Sequence, residues 1–240
     1  MQFVDHIFIV LQFVVQPIHG YFENRRYEAQ ENAGQPLDRI RFYRLTAVLE
    51  WAFLAALAAA WFVYSRSIAD LGFVVPGGLG FGGGAALLLM LTGFLVYSWR
   101  GAASASDIDK EKTRKSLGRI AKYLPQNDPE LRSFYGVSLT AGIVEEIVYR
   151  GFVLWYLGQL MPLWAAVVVS SVAFGLGHNY QGASGVLRTG LLGLAFGIFY
   201  IVTGSIWLPI IAHVLLDALQ GAAVREIYRK NNDALEPKPA

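Results

Sequence analysis

The chain has 240 residues, 55% of them hydrophobic and only 16% charged, with a net charge of +2 and a mean hydropathy of +0.41. Soluble domains are nearer a quarter charged, and so small a net charge leaves no electrostatic footprint for nucleic acid. No cysteine is present, which excludes disulfides, thiolate catalysis and cysteine-type zinc sites.

Apolar stretches of about 17–21 residues recur, long enough to cross a bilayer as helices, and the alternation of a β-barrel is missing. The expected fold is all-α: a polytopic transmembrane bundle of about six to eight helices with a buried polar cavity. Residues 2–19 are apolar but interrupted by Asp5, His6, Gln12 and Gln16; they read as a first span or as a helix lying in the interface. Residues 1–24 hold no Lys or Arg and no small-residue cleavage site, which argues against a cleaved signal peptide. Residues 20–44 read as a polar loop containing Arg25, Arg26, Arg39, Arg41 and Arg44. A helix is expected over 45–64, ending in Trp61 and Tyr64 at headgroup level. A short loop with Pro76-Gly77-Gly78 follows. The next span, 79–99, opens on Gly80-Phe81-Gly82-Gly83-Gly84, which permits close helix contact.

Residues 100–133 form the longest polar segment, with Lys110, Lys112, Arg114, Lys115 and Arg119. A boundary near Pro125–Pro129 divides an amino-terminal unit, 1–124, from a helical unit, 125–222, and a basic tail, 223–240. Further spans are expected near 134–158, 163–177, 187–203 and 205–220. The positive-inside tendency assigns 20–44, 100–133 and the tail to the cytoplasm. Seven spans with an outer amino terminus satisfy it. So do six with a cytoplasmic one, if residues 2–19 only lie on the membrane. The expected location is an inner or plasma membrane.

Three apolar segments carry ionisable groups: Glu145, Glu146 and Arg150; then His178; then His213 and Asp217. Each costs roughly 2.5–3.5 kcal/mol at membrane depth, so several of them in neighbouring helices point to joint use. Glu146 and Arg150 share a helical face and can pair. Glu145 points about 100° away, free to face a cavity as a candidate general base. His178 closes the run Phe174-Gly175-Leu176-Gly177, and His213 lies four residues before Asp217 on one helical face. Taken singly, each motif also reads as structure: a salt-bridge cluster at the cytoplasmic edge, a hydrogen-bonded helix end, a buried pair. Together they read as a water-holding hydrolytic site. Glu50, Arg188, His6 and His19 read as structural, Glu50 lying within reach of the interface.

Glu145-Glu146-x-x-x-Arg150, Phe174-x-x-x-His178 and His213-x-x-x-Asp217 resemble, in order and spacing, the motifs of the CPBP (Abi) family of CAAX-processing and bacteriocin-processing intramembrane proteases. The resemblance covers roughly residues 130–222 and includes the Ras-converting CAAX endopeptidase. It implies that Glu145 and His178 activate a water, that His213 and position 217 stabilise the oxyanion, and that Glu146 and Arg150 support Glu145. Asp217 stands where CAAX endopeptidases have Asn, and an ionised Asp cannot donate a hydrogen bond. Asp217 is therefore either protonated, an orienter of His213, or a metal ligand. The resemblance suits catalysis without a required cofactor; the alternative is a Zn2+ held by Glu145, His178 and His213. The partners it implies are membrane lipid and a protein or peptide substrate, prenylated in some branches of the family. A non-catalytic scaffold of the same fold is the competing reading. A proton-relay transporter lacks support from any inverted repeat.

Overall fold

The structure is a computed structural model describing residues 1–75 and 77–229. Pro76 of the expected turn, and Lys230 and Lys238 of the basic tail, lie outside the described residues. Among those residues the chain is all-helical: α1 (Phe3–Asn32), α2 (Arg39–Val63), α3 (Gly78–Ser104), α4 (Asp107–Leu117), α5 (residues 128–157), α6 (Leu163–Gly177), α7 (Ala183–Thr203) and α8 (Trp207–Tyr228). Five of them, α1, α2, α3, α7 and α8, are long and apolar enough to cross a membrane. Their outward faces carry large apolar side chains such as Leu89, Phe94 and Leu187, the surface of an integral membrane protein.

Helix starts follow the local chemistry. Asp38 accepts a hydrogen bond from the Arg41 amide at 3.0 Å and starts α2. Ser106 does the same for Asp109 at the head of α4, and Asn127 for Glu130 at the head of α5. Asp128 and Glu130 add negative charge to the first turn of α5.

Two polar segments expected as loops are largely helical. α1 runs through Asn32 and α2 begins at Arg39, leaving a short connection. Pairs four residues apart carry α1 beyond its apolar part: Arg25 donates to Tyr21, Tyr27 to Glu23 and Asn24 to Glu28. Likewise α4 lies within 100–133, laced by Lys112–Asp109, Arg114–Glu111 and Lys115–Glu111 pairs. Polarity identifies a solvated surface, which a helix supplies as readily as a loop.

The polar interruptions of α1 have partners on the bundle. Asp5, fully buried, takes a bidentate bond from Arg66 at 2.7 and 2.8 Å. That guanidinium stacks over Trp61, Tyr64 and Trp155. His6 meets the Tyr156 hydroxyl at 2.6 Å, and Gln12 donates to the Tyr149 hydroxyl at 2.9 Å. Residues that weaken α1 as a hydrophobic span therefore fasten it to the bundle, His6 and Gln12 to α5 and Asp5 to the connection between α2 and α3.

The core gathers on the second half of α5. The segment Ile147–Val153 is a π-helical stretch with all seven residues buried, a geometry frequent at functional sites. α8 packs on α5 and α3, α2 on α5, and α6 on α7. Gly142 sets the closeness of the α5–α8 crossing: a Cβ there would stand 2.8 Å from the Val214 backbone nitrogen. Because backbone cannot swing aside, Gly142→Ala is expected to destabilise the fold by about 1–3 kcal/mol. Thermal unfolding of the detergent-solubilised variant checks this as a lowered midpoint.

Candidate active site

Glu145 and Glu146 end the regular part of α5, just before the π-helical stretch. Glu146 is fully buried. Its Oε1 accepts from Arg150 Nη1 at 2.9 Å and from His213 Nδ1 at 2.8 Å. Arg150 also donates from Nη2 to the Gly193 carbonyl at 3.1 Å, and its guanidinium lies over Phe174 and Phe196. One buried carboxylate and one arginine thus tie α5 to α8 and α7. Anchoring Nδ1 on Glu146 also leaves His213 Nε2 facing the opposite way.

Glu145 points about 100° around α5 from Glu146, as its one-residue offset requires. Its Oε1 stands 4.0 Å from His178 Nε2 and its Oε2 3.9 Å from His213 Nε2. His178 holds this orientation because its Nδ1 donates to the Phe174 carbonyl at 2.8 Å. His213 Nε2 is also 3.6 Å from Asp217 Oδ2. Glu145 Oε2 is buried and has no hydrogen-bond partner among the described residues. Distances near 4 Å are too long for direct hydrogen bonds. They suit one small molecule held about 2.8 Å from each group.

All six residues singled out in the sequence meet at this place: Glu145, Glu146 and Arg150 from α5, His178 from the end of α6, and His213 and Asp217 from α8. One residue read as structural, Glu50, also faces the protein interior. Glu50 turns inward from α2 rather than toward the interface, with Oε2 out of contact with solvent and unpartnered. It follows Tyr43 and precedes Leu57 by seven residues each, and both are buried. That spacing puts all three on one side of a helix and was available in the sequence.

The fit to a metal is poor. Among the described residues no group of three or more His, Cys, Asp or Glu is arranged to hold an ion. The separations of 3.6–4.0 Å exceed the about 3.3 Å between ligands of a tetrahedral zinc with bonds of about 2.0–2.1 Å.

Residues 128–219 match the family described as "Type II CAAX prenyl endopeptidase Rce1-like". Over 80 residues the chain is 31% identical to "Putative membrane peptidase YdiL" of Bacillus subtilis (strain 168), covering 33% of this chain and 32% of that relative. The matched part therefore spans about a third of the relative's length. No solved structure matches. Both matches support the resemblance to the CPBP protease family that the motifs carry, and the family match spans the segment that holds Glu145, His178 and His213.

Proposed function

We propose that this protein is an intramembrane endopeptidase that hydrolyses a peptide bond by a water activated at Glu145. The observation that carries the reading is the Glu145 carboxylate, set 3.9–4.0 Å from two imidazole nitrogens with one buried oxygen unpartnered. A water in contact with Glu145 and His178 Nε2 gives its proton to Glu145 as its oxygen attacks the scissile carbonyl carbon. The carbonyl oxygen becomes an oxyanion. A His213 carrying both ring protons donates from Nε2 toward it, while Nδ1 stays on Glu146. Collapse of the tetrahedral intermediate breaks the C–N bond, and Glu145 returns the proton to the leaving amine. Asp217, beside His213 Nε2 at 3.6 Å, orients and balances that imidazole; as an ionised carboxylate it cannot supply the donor that Asn would. Glu146 and Arg150 hold the assembly from behind.

The substrate class in this reading is a membrane-associated protein or peptide. It is met in CAAX-type processing of a prenylated tail or in bacteriocin and leader maturation. The reading places the basic connections and the carboxy terminus in the cytoplasm, with seven spans and an outer amino terminus. That topology puts Asp5 and Arg66 at one end of the bundle and Arg39–Glu130 and Lys122–Glu28 at the other. In this reading catalysis needs no metal. Purified protein offered a library of membrane-proximal peptides is therefore expected to cleave equally well with and without a chelator. Cleavage lost to the chelator and restored by Zn2+ would assign a metal instead, and no cleavage of any peptide would remove the peptidase reading.

A further inference from the structure

α2 contributes one acidic residue that the reaction above does not use, Glu50. It sits on the inward side of the helix, in line with Tyr43, Leu57 and Trp61, each no more than 2% exposed. Its Oε2 is out of contact with solvent and without a hydrogen-bond partner among the described residues. The next residue fixes the place: Trp51 Nε1 donates to Thr140 Oγ1 at 3.0 Å, pinning α2 against α5 just over one turn before Glu145. α2 packs along α5, with the Tyr43 ring against Phe134 on one side of that contact, so the inward side of α2 at Glu50 faces the part of α5 that leads into Glu145.

We infer that Glu50 is a positioning residue of the active site, sharing with Glu145 the hold on the water that attacks the peptide bond. The inference rests on the peptidase reading. Two packed helices each present a carboxyl oxygen that is buried and that no group among the described residues satisfies, Glu50 Oε2 and Glu145 Oε2. Native interiors satisfy almost all such atoms, with ordered water where no side chain serves. One molecule between the two carboxyls satisfies both at once and fixes the direction in which Glu145 faces it. A residue wanted only for packing at this depth would be apolar, because an apolar side chain fills the same volume without burying a polar group. Keeping a carboxyl there works against stability, which is the usual signature of a group retained for chemistry.

The test compares wild type, Glu50→Gln and Glu50→Leu, each alone and in a Glu145→Gln background, by thermal midpoint in detergent and by kcat and KM on a cleaved peptide. Glu50→Leu is expected to raise the midpoint, to lower kcat about 10–100-fold and to leave KM unchanged, with Glu50→Gln in between. In the Glu145→Gln background the gain in midpoint should shrink, since the two carboxyls no longer oppose one another. A lowered midpoint, a wild-type kcat in Glu50→Leu, or strict additivity with Glu145→Gln overturns the inference. If wild type itself cleaves nothing, the peptidase reading fails and takes this one with it. If wild type cleaves and Glu50→Leu cleaves as well, only the role of Glu50 falls.

Discussion

Glu145→Gln is expected to lower kcat by about 10²–10⁴-fold, the contribution usual for a positioned general base, while the protein accumulates and unfolds as wild type does or at a higher temperature. Gln fills the same volume but cannot take a proton from water. Among the described residues the Glu145 carboxylate makes no hydrogen bond that the change would break, since its nearest imidazole nitrogens are 3.9 and 4.0 Å away and its Oε2 is unpartnered. Replacing a buried, unpartnered carboxylate by a neutral amide should therefore leave the bundle standing. The measurement pairs single-turnover cleavage with thermal unfolding of the same preparation. Unchanged cleavage would rule out Glu145 as the base, and the scaffold reading would then take precedence. A collapse of the fold would mean that the carboxylate serves structure, contrary to its lack of partners.

The six charged residues could be found in the sequence because hydrophobic segments are selective backgrounds. A glutamate in a soluble helix says little, but Glu145 and His213 within membrane-length apolar runs stand out against the cost of burying them. Helical periodicity then separated Glu145 from Glu146 by face, which is the division the structure makes: Glu146 to the Arg150–His213 anchor, Glu145 to the open side. Spacing could not reveal that Arg150 would reach Gly193 on α7, because that contact depends on how the helices cross. Nor did it reveal the partners of α1. Asp5, His6 and Gln12 looked like defects in a span until Arg66, Tyr156 and Tyr149 were seen opposite them. Glu50 was legible in principle, since the seven-residue interval to Tyr43 and Leu57 marks the inward side. One charged residue two turns into a span reads just as easily as reaching for the interface, and only the packing of α2 on α5 decides between these.

Arg150→Met should do the reverse of Glu145→Gln, damaging the fold first and activity as a consequence. The guanidinium is 2% exposed and is shared between the Glu146 carboxylate and the Gly193 carbonyl. Removing it leaves Glu146 buried with His213 as its remaining partner, and Glu146 Oε2 already has none. Breaking one side of a buried ion pair costs about 3–5 kcal/mol, which for a chain of this size corresponds to a fall in thermal midpoint on the order of 10 °C. Met retains much of the packing between Phe174 and Phe196, so the loss reports charge rather than volume. The double variant Glu146→Leu with Arg150→Met removes both charges and should regain part of that stability, as paired apolar replacements of buried ion pairs do, less the cost of leaving His213 Nδ1 and the Gly193 carbonyl without these partners. It should not regain activity, because His213 Nδ1 then has no carboxylate to hold its ring and Nε2 is free to turn from Glu145. A double variant partly restored in midpoint but still deficient in kcat would separate the anchor's structural work from its orientation of His213. Restoration of both would show that the imidazole is oriented by something other than Glu146.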